Sequence, residues 1–131
     1  YQGHRYDFPG GWATDKRNAF TASGRTAEEN EIFNYLKTLL HYRKNNPVLQ
    51  SGKMKQFIPY DGIYVTFRYN DSKKVMVIAN NNSENKELLL DRFSEVLSGK
   101  TLATDIHTQE SQTLQNQISI PAKTVLILEV K

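Results

Sequence analysis

The stretch "PYDGIYVTFRYNDSKKVMVIANNN", residues 59–82, decides the fold class. It opens with Pro59, Tyr60, Asp61 and Gly62, a turn by composition. The next eight residues alternate, with Ile63, Val65, Phe67 and Tyr69 on one face and Tyr64, Thr66, Arg68 and Asn70 on the other. A period of two is that of a strand with one buried face. Residues 70–73 turn the chain again, into "KVMVIAN" at 74–80. That run is apolar on both faces, which suits a strand in the middle of a sheet.

Outward from this pair the β pattern continues. Residues 53–58 read as a short strand before the turn, and 86–90 and 101–107 as strands after it. Between those two, residues 91–97 read as a helical turn that points Phe93, Val96 and Leu97 inward. A polar hairpin region at 109–117 leads to Ile118 and Ile120, and "TVLILEV" at 124–130 reads as a last strand buried on both sides. Short strands separated by turn signals predict a mainly β domain, an antiparallel β-sandwich.

Upstream the period changes. Ile32, Tyr35, Leu36, Leu39 and Leu40 recur at helical spacing, and predict one buried face. Thr26 and Glu29 have the spacing of a capping box, and "NNP" at 45–47 stops the helix. The expected helix runs over 27–45. Residues 1–26 have no period, yet they carry Tyr1, Tyr6, Phe8, Phe20 and the single tryptophan, Trp12, which are costly groups to leave in water. The expected division is therefore a loop at 1–26, one amphipathic helix at 27–45 and a β-sandwich at 46–131. A lone helix ahead of a sandwich reads as the end of a preceding domain, and Tyr1 reads as a cut end.

Composition narrows the classes. The chain has 131 residues, a net charge of +3 and no cysteine. Disulfides, thiolate metal sites and a cysteine nucleophile are excluded. Its lysines are scattered, so no nucleic-acid partner is expected. No run approaches the length of a membrane span. His4, His41 and His107 stand alone in sequence, so neither a metal nor another cofactor is expected. Asp7, Asp15 and Asp61 lie in aromatic, glycine-rich surroundings that suit a glycosidase cleft, but aspartates beside Gly and Asn also cap turns. Tyr60, Tyr64, Phe67, Arg68 and Tyr69 fit either a stacking surface or a half-buried strand.

Taken together, "RYDFPGGW" at 5–12, "DKRNAFT" at 15–21, "EENEIFNYLKTLLHYRKNNPVLQSGK" at 28–53 and the 59–82 stretch resemble the C-terminal part of the α-amylase family of glycoside hydrolases. The likeness is to the neopullulanase and cyclomaltodextrinase branch, including bacterial periplasmic starch-utilisation enzymes. This resemblance implies an upstream (β/α)₈ barrel, about 250 residues that this chain cannot contain. The barrel would hold the catalytic carboxylates, so no catalytic residue is expected in this chain. Residues 1–25 would be the rim loop after the last barrel strand. The helix would be the last barrel helix, and the sandwich a structural cap of the α-amylase C-terminal type. Arg5, Asp7 and Trp12 would contact substrate, with Arg5 and Asp7 either reaching sugar hydroxyls or pairing with each other to brace the loop. The partner implied is an α-glucan oligosaccharide met through the intact enzyme, and the compartment periplasmic or secreted. The competing reading is a carbohydrate-binding module with Trp12, Tyr60 and Tyr64 as its stacking residues.

Overall fold

The computed structural model describes residues 6–131, which hold eight strands paired antiparallel, one long helix and several short helical turns. Helix α1 spans Ala27–Asn45, as its cap and stop predict. The Thr26 Oγ1 accepts from the Glu29 amide at 3.2 Å, and Glu29 Oε2 accepts from the Thr26 amide at 2.9 Å, a reciprocal capping box. A single turn, α2 (Val48–Ser51), follows Pro47 and buries Val48. Pro47 stops the first helix and also starts this short one, since its missing amide hydrogen costs nothing at a helix start.

The strands are β1 (Lys53–Gln56), β2 (Ile63–Tyr69), β3 (Lys74–Asn80), β4 (Lys86–Leu89), β5 (Leu102–Asp105), β6 (Ser111–Thr113), β7 (Gln117–Ile120) and β8 (Val125–Val130). Six form one sheet in the order β1-β2-β3-β8-β5-β6, and β4 pairs with β7 in a second. Strand β3 is central, flanked by β2 and β8, as its two apolar faces predict. Helix α3 (Ser94–Leu97) extends a 3₁₀ turn, Asp91–Phe93, between β4 and β5.

The register explains the core. Val65 lies opposite Ile78, Phe67 opposite Met76, and Met76 opposite Leu128, so these side chains share one face of the large sheet. That face meets Ile118 and Ile120 of β7 together with Phe93, Val96 and Leu97 of the helical turn, all buried. Phe57 and Phe93 pack edge to face at 4.8 Å within it. On the opposite face Val75 is fully buried, and α2 lies against β2 and β3.

Two expectations are corrected. Strand β8 is interior to the sheet, yet Val125 is exposed and Glu129 occupies its outer face, so only Leu128 and Val130 are fully buried. The apolar stripe of α1 is exposed: Leu36 is 50% and Leu40 63% accessible, Ile32 and Tyr35 are exposed too, and Leu39 is half-buried. Amphipathic spacing specifies which side of a helix seeks cover, but not what covers it.

The chain divides into two compact units, one ending at Thr38 and the other Leu39–Lys131.

Candidate functional site

In the first unit, residues 6–25 form no strand, and the segment is held by its own polar groups. Asp15 Oδ2 accepts from the amides of Gly10 at 2.7 Å and Trp12 at 3.2 Å, closing the Pro-Gly-Gly turn. Gly10 has φ +101°, and a Cβ there would meet Asn18 Oδ1 at 2.4 Å, so glycine is required. The Ala19 amide donates to the Pro9 carbonyl at 2.9 Å, and Phe8 and Phe20 meet edge to face at 4.9 Å.

Two cations tie this loop to the start of α1. Arg17 makes a two-pronged pair with Glu29 at 2.8 and 2.7 Å. Those bonds, with the one from the Thr26 amide, hold the Glu29 carboxyl down at about 2. Arg25 donates to the Ala19 carbonyl and to Asn30 Oδ1, both at 2.9 Å, and stacks 3.8 Å above the Phe33 ring.

Of the three substrate residues named from the sequence, two come together. Trp12 Nε1 donates to Asp7 Oδ2 at 3.2 Å, with both side chains facing solvent. Arg5 and His4 lie outside the described residues. Asp15 is a turn cap, and Asp61 sits at a hairpin turn beside Lys86 at 3.3 Å. His41 is exposed, and the His107 amide donates to Asp105 Oδ1 at 2.7 Å in a turn.

The second unit has a cleft that reading the sequence did not find. Its volume is about 310 Å³, between the β1–β2 connection and the segment from β4 into the 3₁₀ turn. Phe57, Ile63, Val65 and Phe93 form its inner wall, and the exposed Ile58, Tyr60 and Leu89 its rim. The aromatic strand residues thus divide: Phe67 is core, the Tyr64 hydroxyl donates to Gln56 Oε1 at 2.8 Å, and Tyr60 stands in solvent. Tyr60 was the available signal. The residues that complete the cleft are far along the chain, and no local pattern connects them to it.

A sequence profile described as the cyclo-malto-dextrinase C-terminal domain matches residues 54–129. Among solved structures, the α-amylase of Geobacillus thermoleovorans complexed with acarbose matches with a TM-score of 0.68 at 19% identity, over 82% of this chain and 24% of that one. An Anoxybacillus α-amylase gives 0.68 at 20% identity, over 92% and 26%. The trehalulose synthase MutB from Pseudomonas mesoacidophila gives 0.61 at 17%, over 76% and 18%. At such identities the likeness is one of fold. The chain spans between 18% and 26% of the length of these three.

Proposed function

Because the chain belongs to the cyclo-malto-dextrinase C-terminal domain family, we propose that it is the C-terminal segment of a retaining α-glucan hydrolase, in which its own role is non-catalytic and mainly structural. The profile match over residues 54–129 carries this reading. In the intact enzyme two carboxylates of an upstream (β/α)₈ barrel would cleave starch-derived oligosaccharides or cyclodextrins through a covalent glycosyl-enzyme.

The exposed stripe of α1 supports that arrangement. Ile32, Leu36 and Leu40 make an apolar strip of the kind a barrel helix turns toward its strands. Residues 6–25 would then be a rim loop, already shaped by Asp15, Arg17 and Arg25 before any substrate arrives. Asp7, held by Trp12, would present its remaining acceptor sites to sugar hydroxyls.

The complete reading frame tests this. Its product is expected to contain the barrel and to release reducing sugar from maltoheptaose or cyclodextrin. Asp7→Ala is expected to raise KM while leaving the fold intact. An upstream region without a barrel, or a complete product that leaves α-glucans uncut, would overturn the proposal.

A further inference from the structure

We propose that the cleft beside Tyr60 is an α-glucan-binding site built wholly from the β domain. The inference rests on the α-glucan reading above for its ligand class, and on the cleft itself for its place.

Tyr60 is 76% exposed, yet its backbone is firmly held. Its amide donates to the Ile63 carbonyl at 3.0 Å, and the Ile63 amide returns the bond at 2.9 Å. Between them Asp61 and Gly62 both have positive φ, the geometry of a tight two-residue hairpin. Asn82 Nδ2 donates to the Asp61 carbonyl at 2.8 Å and braces the turn from β3's side. An aromatic ring held in water by a rigid turn loses little freedom when something stacks on it.

The surroundings select the ligand. A pyranose offers C–H faces to a ring or an aliphatic wall and hydroxyls around its edge. The apolar wall with Ile58 and Leu89 suits the first, and the carboxylates of Glu87 and Asp91 suit the second, since charged acceptors bind hydroxyl donors strongly. Of the lining carboxylates, Asp61 is paired with Lys86 at 3.3 Å and Glu87 accepts from Gln117 Nε2 at 3.2 Å, while the lining cation Arg92 already donates its Nη2 to the Ile58 carbonyl at 2.8 Å. A lining whose one cation is already bonded, with Lys86 paired to Asp61, disfavours a phosphorylated or carboxylated ligand and fits a neutral polyol. A volume of about 310 Å³ is at the small end of ligand pockets, enough for sugar rings but not for a docked helix.

The test is a titration of the isotope-labelled 131-residue chain with maltoheptaose, followed residue by residue by NMR. Saturable shifts at Ile58, Tyr60, Leu89 and Asp91 are expected in the millimolar range. Tyr60→Ala should weaken binding about tenfold, a loss of about 1.4 kcal/mol, with the rest of the spectrum unchanged. Glu87→Gln combined with Asp91→Asn should weaken it several-fold. An absence of shifts, shifts confined to Trp12 and its loop, or an equal response to cellohexaose would each overturn the site. So would protection of the same amides in the sugar-free complete enzyme, since a neighbouring domain would then fill the cleft. None of these failures bears on hydrolysis by the complete enzyme, which tests the functional reading separately.

Discussion

The Tyr42 hydroxyl donates to Glu129 Oε2 at 3.0 Å, joining the last turn of α1 to β8 across 87 residues of chain. The same oxygen accepts from Lys73 Nζ at 2.9 Å, and Lys73 also donates to Asn46 Oδ1 at 2.6 Å. Burial of Glu129 favours its neutral form, but the bonds from Lys73 and Tyr42 outweigh this and hold its carboxyl below the ordinary range. Burial and the bond to Glu129 keep the Tyr42 hydroxyl protonated well above its own.

Glu129→Gln is therefore expected to destabilise the chain by about 1–3 kcal/mol at neutral pH, because it uncouples a half-buried lysine. Glu129 has a lowered folded pKa, so its contribution is complete above the unfolded carboxylate value and lost as pH falls through the folded one. Urea midpoints measured from neutral to acid pH should drop more steeply in the parent than in Glu129→Gln.

Glu29 gives a second, local test of acid sensitivity. Its carboxyl titrates at about 2, first because of the bonds from Arg17 and next because of the one from the Thr26 amide. A carbon-detected NMR titration should find that low value, and Arg17→Met should move it back toward the ordinary range. The support given to the start of α1 is present above the unfolded value of 4.5 and disappears as pH falls toward 2. An unshifted Glu29 in the parent would show that the two-pronged pair does not form in solution.

Asn80 is the one buried polar residue among those described, at 3% exposure. Its Nδ2 donates to the carbonyls of Glu84, Ile120 and Pro121, at 3.1, 3.1 and 2.9 Å, and its Oδ1 accepts from the Asn82 amide and side chain, both at 2.9 Å. Asn80→Ala should cost about 3 kcal/mol in chemical unfolding, because several buried groups lose their partner together. A loss within error of zero would mean that water substitutes for the amide.

The α1 stripe separates the chain from the proposed whole enzyme. In the 131-residue chain Leu36→Ala and Leu40→Ala should each change stability by less than about 0.5 kcal/mol, as exposed substitutions do. In the complete enzyme the same changes should cost about 2–5 kcal/mol, the range for buried leucine. Equal, small effects in both would remove the barrel from that face.

What was legible in the sequence was local or periodic. The bounds of α1 and its capping box followed from Thr26, Glu29 and Pro47, and the sheet from the alternation of β2 and the doubly apolar β3. The inward Phe93, Val96 and Leu97 followed from helical spacing in a short run. Asp15 was legible as a turn cap because its partners are within five residues. The cover of Leu36 and Leu40 was not legible, since a stripe does not encode its complement. Neither was the Tyr42–Glu129 bond or the Tyr60 cleft, because each joins segments that only the finished fold brings together. For Asp7 and Trp12 the sequence suggested a shared role, and the structure adds a hydrogen bond between them.

The Asn80 amide also acts as a check on strand alignment. A one-residue slip of β3 that put Ala79 at its place would turn the asparagine to the other side of the sheet. The carbonyls of Ile120 and Pro121, some 40 residues downstream, would then be left without their donor. The polar knot thus penalises that misalignment through the buried carbonyls it would strand.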